Sequence, residues 1–368
     1  MPKATDKNTF VTLLPESDNF DLIKDIGQIP YTLNKHGMIN AFLASSGIDP
    51  NGTNKEYLSC LPIQKLHHIN PFLAGSLFIL KNGRKVDCLN FYYGGRHSIY
   101  WSKLYKFLNP HGKVYIKLDM SYDGCHQYKT IPKKNRIFKK ALSTSDLASV
   151  ESEEILDLVK KITDHPVAII PNGYIDIDDR LIGDIKRENK FITVGRLGTP
   201  EKATDILLEA FAQSSHHHDW ILELVGPVYD TFKPEIGKFY NKYPEMKDRV
   251  VFKGPIYNKV ELYREYRSAR VFVLPSLWEG SPLVCPEALF NGCRLILSDM
   301  VPPITLFTNH LKYGSIVKSG SVDSLCNTLM SEAALKFDEA EFDEIKKYAV
   351  DEMSWKSICR RLINLLYI

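Results

Sequence analysis

Two glutamates, Glu279 and Glu287, stand with seven residues between them in a stretch, residues 271–299, that reads VFVLPSLWEGSPLVCPEALFNGCRLILSD. Two carboxylates at such a spacing suit one of two chemistries. They act as a general acid and a nucleophile converging on one anomeric carbon, or they accept hydrogen bonds from sugar and ribose hydroxyls spread along an elongated ligand. The second needs no convergence and fits the separation more easily. Further upstream, Arg196 and Lys202 flank the turn GRLGTPEK. A guanidinium fork and a compact ammonium beside a helix N-terminus suit a diphosphate, because the unpaired backbone N–H groups and the helix dipole favour the same anion. Taken singly, all four side chains are ordinary surface charges, so their meaning depends on the elements that position them.

Residues 271–274 and 295–297 are short apolar runs bounded by turn residues, with a helix between them that carries Glu287; Pro286 falls early enough to be tolerated in its first turn. This is a βαβ unit with a parallel strand pair. In open parallel sheets the ligand sits beyond the carboxyl ends of the strands, a position held here by residues 275–283, including Gly280, Ser281, Pro282 and Leu283. The same alternation recurs upstream. Residues 191–194 form a strand leading into Gly195, residues 201–213 a helix, and residues 220–225 and 249–252 strands ended by Gly226-Pro227 and Gly254-Pro255, with Ile256 just beyond. Glycine or proline at every strand-to-helix junction is what a doubly wound sheet with functional loop ends requires.

The first half reads less cleanly. Residues 9–14 predict a strand, and a polar loop follows that ends at Gly27 before a helix over 29–36. A glycine there serves phosphate or substrate contact, or a simple turn. Residues 76–80 and 86–92 predict strands, 97–108 a helix, and 113–119 a strand ending at Asp119, beside Asp123, Gly124 and His126. Asp119 is placed either for a site at the sheet edge or for a cap. In KKNRIFKK, residues 133–140, five of eight residues are basic, namely Lys133, Lys134, Arg136, Lys139 and Lys140. Such a run is a solvated face or a contact to an anionic membrane. Residues 141–144 and 167–170 predict strands around a helix over 145–162, residues 171–173 a domain boundary, and residues 353–367 an amphipathic helix.

A chain of 368 residues, 44% apolar and 25% charged, is long enough for two domains with separate cores. A net charge of +3 argues against a dominant nucleic-acid footprint. Seven cysteines without a C-x-x-C pair, no signal-peptide core and no membrane-length apolar stretch give the expectation of a cytoplasmic protein with free thiols, peripheral at the inner face of the membrane through the basic run. The adjacent histidines 216–218 lack the spacing of a metal site.

Taken together, FITVGRLGTPEKATDILLEAF, VVFKGPI, VFVLPSLWEGSPLVCPEAL and GCRLILS resemble the nucleotide-sugar half of a glycosyltransferase of family 4. The resemblance implies an α/β fold of GT-B architecture, with two facing Rossmann-like domains and a C-terminal helix crossing back. The expected divisions are 1–172 for the acceptor, 173–350 for the nucleotide sugar, and 351–368 for the helix. It implies retaining transfer of a sugar from a nucleoside diphosphate to a hydroxyl of a glycan or lipid-linked acceptor, in polysaccharide or glycoconjugate biosynthesis, with no cofactor and no essential metal. Glu287 would hold the ribose hydroxyls, Glu279 and the N–H groups of residues 280–283 would face the donor sugar, Arg196 and Lys202 would stabilise the diphosphate beside Gly195, and Ile256 would lie near the base. Many family members carry a histidine where this chain has Leu118-Asp119, which leaves Asp119 or His126 for the sugar or acceptor contact. A GT-B epimerase or hydrolase, or a non-catalytic nucleotide-sugar-binding scaffold, would share the same frame.

Overall fold

The computed structural model describes residues 8–67 and 70–366. The chain divides into two units, one comprising residues through Gly173 together with the segment from Trp355, the other Tyr174–Ser354. Each is built on one wholly parallel sheet. In the N-terminal unit the strands are β1 Thr9–Leu13, β2 Asn40–Ser45, β3 Ile63–Lys65, β4 Cys88–Tyr92, β5 Lys113–Lys117, β6 Leu147–Val150 and β7 Val167–Ile169, in the order β3-β2-β1-β4-β5-β6-β7. In the C-terminal unit they are β8 Lys190–Val194, β9 Ile221–Val225, β10 Val250–Gly254, β11 Val271–Leu274, β12 Arg294–Ser298 and β13 Gly314–Val317, in the order β10-β9-β8-β11-β12-β13. Parallel neighbours need crossover helices, which cover both faces and explain why the central strands are buried along their length.

In both sheets the first strand of the unit lies inside the sheet, and the winding reverses beside it, between β1 and β4 and between β8 and β11. At such a reversal the loops after the two strands open away from each other and leave room for a ligand.

Several sequence expectations are corrected. Residues 76–80 are not a strand but lie in the helix Pro71–Asn82, which Asn70 caps by accepting the N–H of Leu73 at 3.2 Å and which has proline in its first turn. The apolar run LFIL is too short for period alone to separate a strand from a buried helix. Residues 141–144 likewise close the helix Pro132–Leu142 and its turn, and the helix expected over 145–162 resolves into β6 and the helix Glu153–Lys160, capped by Ser152. Asp146 accepts the N–H of Val114 at 2.7 Å and pairs with Lys106, tying the starts of β5 and β6. Gly27 does not end a loop. It is the third residue of the helix Asp25–Lys35, where a Cβ would come within 2.5 Å of Leu22 Cα, and its N–H donates to Lys24 O. Its bareness lets the first turn of this helix pack against the Leu22 backbone.

The final amphipathic segment begins at Trp355 instead of residue 353, because Met353 closes the preceding helix Glu339–Met353. Trp355, Ile358, Cys359 and Leu362 pack into a core shared with Phe10, Ile29 and Leu33 of the N-terminal unit. No helix among the described residues is long and apolar enough to cross a membrane.

Candidate functional site

The pairing of β8 with β11 in the sheet decides which loops meet in the C-terminal unit. β8 runs into Gly195 and the turn before the helix Thr204–Ser214; β11 runs into residues 275–283 and the helix Val284–Phe290. The two loops are tied by the backbone, Leu277 N–H donating to Glu201 O at 2.8 Å, and by an ion pair between the Lys202 ammonium and Glu279 Oε1. Ser276 donates its hydroxyl to the same Oε1 at 2.7 Å, while its carbonyl accepts from the Ser298 hydroxyl at the end of β12. The Glu279 carboxylate is thus held from two sides on a loop whose root is fixed to the next strand.

The expected helix over 201–213 starts later. Pro200–Lys202 form a separate 3-10 turn, Ala203 adopts a left-handed backbone with φ 48°, and the α-helix begins at Thr204. The break directs Lys202 away from the helix axis and across Gly195, where an added Cβ would lie 3.6 Å from the Lys202 Cε. At Gly226, φ is 140° and a Cβ would approach Gly195 O to 1.8 Å, so the ends of β8 and β9 come together in a way only glycine allows. Arg196 shares the turn, but its guanidinium is largely exposed and pairs with Glu201 at 2.6 Å. Both cations therefore carry a carboxylate partner before any anion arrives.

Glu287 does not join that group. It is buried in the helix Val284–Phe290, and Oε1 pairs with Lys259, the first residue of the helix Lys259–Ser268 that follows Gly254, Pro255 and Ile256. Burial and then the Glu287 charge push the Tyr266 hydroxyl well above the usual tyrosine range. Ile256 is partly buried against the core of this unit, and Gly280 faces open space. Lys259 and Ser276 were missed in the sequence. A lysine opening a helix stands against the dipole, and that unfavourable placement is the signal that it has a partner.

In the N-terminal unit, Asp119 follows β5 with a left-handed backbone, φ 46°, and Tyr93 after β4 shares that strained region, φ 63°. Next to them lies a buried charge cluster that sequence did not reveal. Lys117 is fully buried, 2.7 Å from Glu151 Oε1, 3.6 Å from Asp25 Oδ2 and 3.0 Å from Ile170 O. Glu151 Oε2 also accepts the N–H of Met120, at 3.2 Å. Burial, reinforced by Asp119 and Glu151 and opposed by Lys117, pushes the Asp25 carboxyl up to about 6. Burial also raises Glu151. For Lys117 burial acts downwards, but Glu151 and Asp25 outweigh it and hold the ammonium charged. The five basic residues Lys133, Lys134, Arg136, Lys139 and Lys140 stand exposed on the helix Pro132–Leu142, anchored by buried Phe138.

Two doubly wound parallel units, one closed by a C-terminal helix, define the GT-B class of glycosyltransferase folds. Residues 177–347 match the family model of glycosyl transferases group 1. It is 25% identical over 206 residues to the Escherichia coli UDP-Gal:alpha-D-GlcNAc-diphosphoundecaprenol alpha-1,3-galactosyltransferase, covering 52% of this chain and 51% of that protein. It is 30% identical over 146 residues, 39% of each chain, to an uncharacterized glycosyltransferase of Haemophilus influenzae. The chain therefore spans about half the length of the first of these relatives, and less of the second. Over 98% of its length it also superposes on 99% of the Anabaena HepE structure in complex with UDP, with a TM-score of 0.73 at 15% identity.

Proposed function

We propose that the protein transfers a sugar from a nucleoside-diphosphate sugar to a hydroxyl of a glycan or lipid-linked acceptor, with retention, as in family 4, and without a cofactor or essential metal. The observation that carries this reading is the Lys202–Glu279 pair, laid across Gly195 where the winding of the C-terminal sheet reverses. A diphosphate arriving there exchanges one carboxylate partner of Lys202 for phosphate oxygens. The freed Glu279, still held by Ser276, then faces the donor sugar together with the backbone of Gly280, Ser281, Pro282 and Leu283. As the sugar–oxygen bond breaks, negative charge gathers on the leaving phosphate, and Lys202 with Arg196 stabilises that charge most at that moment. These built-in cations take the part a metal plays elsewhere. Glu287, released from Lys259, takes the ribose hydroxyls, and Ile256 borders the base.

The acceptor is assigned to the N-terminal unit, beside Asp119 and the Asp25 cluster. The similarity to an enzyme named for a diphosphoundecaprenol substrate supports a lipid-linked acceptor, and the exposed cations of the helix Pro132–Leu142 support contact with an anionic membrane.

A thermal-shift screen of nucleotide sugars, beginning with uridine donors, tests the donor half. A ligand at about 100 times its dissociation constant stabilises by roughly 2.7 kcal/mol. Glu287→Ala should abolish the shift, and an unchanged shift in that variant removes its ribose role. Nucleoside diphosphate released only when acceptor is present supports transfer. Release without acceptor points to a hydrolase or epimerase, and binding without turnover to a scaffold.

A further inference from the structure

Three helices of the N-terminal unit, Pro71–Asn82, Arg96–Leu108 and Pro132–Leu142, form one layer over its sheet. The Phe72 ring lies 4.9 Å from that of Tyr100 and 6.1 Å from that of Trp101 at the N-terminal ends of the first two. At their C-terminal ends a side chain placed on Gly83 would meet Leu108. Phe138 of the third helix is buried in the same core as Trp101 and Tyr105. The inward residues of the first helix, Ala74, Phe78 and Ile79, fill that core, yet Leu73, Leu77 and Leu80 point outwards, 44%, 53% and 56% exposed. Their spacing of four and then three puts them on one stripe. On the second helix the outward stripe alternates cation and ring, Arg96, Tyr100, Lys103 and Phe107, the last 82% exposed.

The charge on this layer is of one sign. None of the three helices contains aspartate or glutamate, and none occurs anywhere from Cys88 to Leu118. Protein partners are generally met by charges of both signs, which fix register as well as attract. A surface of leucines and aromatic rings studded only with cations carries no such register and needs none if its partner is a continuous anionic plane. It matches an element lying in a lipid interface, with its apolar side chains at the acyl boundary and its cations among the headgroups.

We propose that this three-helix face docks on an anionic bilayer, the Leu73, Leu77 and Leu80 stripe entering the headgroup boundary. The proposal rests on the membrane contact assigned above to the helix Pro132–Leu142 and adds an apolar component that salt does not screen.

The test is flotation of the full chain with vesicles of phosphatidylcholine alone or with about a third phosphatidylglycerol, at low and high salt. The expected result is binding to the anionic vesicles that weakens but persists at high salt. Combined Leu73→Ser, Leu77→Ser and Leu80→Ser should lower the bound fraction at least tenfold and remove the salt-resistant part, while the nucleotide-sugar thermal shift stays as in the wild type. Leu77→Trp should give an emission blue-shift on adding the anionic vesicles. Wild-type flotation by the triple variant, no flotation of the wild type, or an unshifted Trp emission overturns the proposal, and none of these outcomes touches the donor reading. If the triple variant instead breaks a self-association seen by size-exclusion chromatography, the stripe is a protein interface and the proposal is likewise overturned.

Discussion

At the carboxyl edge of the N-terminal sheet, Lys117 is fully buried between Glu151 and Asp25 and also donates to Ile170 O, whereas at the same edge of the C-terminal sheet the side chains of Lys202 and Glu279 keep 16% and 12% of their surface open. Both edges bring a lysine to carboxylates beside a reversal of winding. Depth separates their uses. A fully enclosed ion pair has no route by which an incoming anion could replace a partner, so the Lys117 cluster fixes strand ends and the backbone around Asp119. A pair open to solvent can exchange its carboxylate for a phosphate. On the function proposed above, the same chemistry is framework in one unit and binding equipment in the other.

The largest effect follows from that contrast. Lys117→Ala leaves two carboxylates buried without their cation and should cost about 3–5 kcal/mol of stability. Lys202→Ala, at a partly open pair, should cost no more than about 1 kcal/mol. Urea denaturation of both variants checks this, and equal losses would break the distinction. The order reverses for catalysis. If Lys202 meets the leaving diphosphate, Lys202→Ala should lower kcat about 10²- to 10³-fold, in the range seen for loss of one preorganised charge-stabilising group. Turnover within twofold of wild type would remove it from the reaction.

The C-terminal unit was the more legible of the two, for a physical reason. Its strands are short apolar runs closed by glycine and proline, as at Gly226-Pro227 and Gly254-Pro255, so period and turn residues agree. In the N-terminal unit the run around Phe78 has the apolar density of a buried strand while its solvent face is leucine, and the usual alternation that would mark a helix is missing. Of the site, Glu279, Glu287, Arg196 and Lys202 were visible as types at a spacing, but their partners were not. Lys259 lies 28 residues before Glu287, and Glu151 lies 34 after Lys117, so only the sheet order brings them together. The 3-10 turn and left-handed Ala203 that redirect Lys202 had no signal, since alanine is an unusual residue for that backbone.

Asp25 sharpens the comparison through pH. Its carboxyl is held near 6 when folded, against an ordinary value of 3.8, chiefly by burial. A raised carboxyl favours the fold while protonated, so its contribution is fully present below pH 3.8, falls as the pH rises through about 6, and changes little above that. Asp25→Asn keeps a neutral group at every pH. The variant should therefore gain on the wild type as the pH rises, by on the order of 2 kcal/mol between pH 4 and 8. Denaturation curves at pH 4.5, 6 and 8 measure it, and a difference that does not change with pH would show that Asp25 is ionised throughout.

The smallest expected effect is at Arg196. Its guanidinium side chain is 60% exposed and its partner Glu201 sits in the same turn, so the pair contributes about 0–1 kcal/mol to folding, and Arg196→Ala should leave the denaturation midpoint nearly unmoved. On the proposed function it would act towards a diphosphate from the solvent side, through screened charge, where Lys202 would act from a partly enclosed position. The loss in kcat/KM should therefore be about tenfold, and it should shrink as salt is added, unlike the loss in Lys202→Ala. Titrating both variants with salt separates the two cations by depth. A salt-independent loss at Arg196 equal to that at Lys202 would mean that the arginine swings inwards when the donor binds, and that side-chain exposure in the unliganded protein does not tell framework from binding equipment.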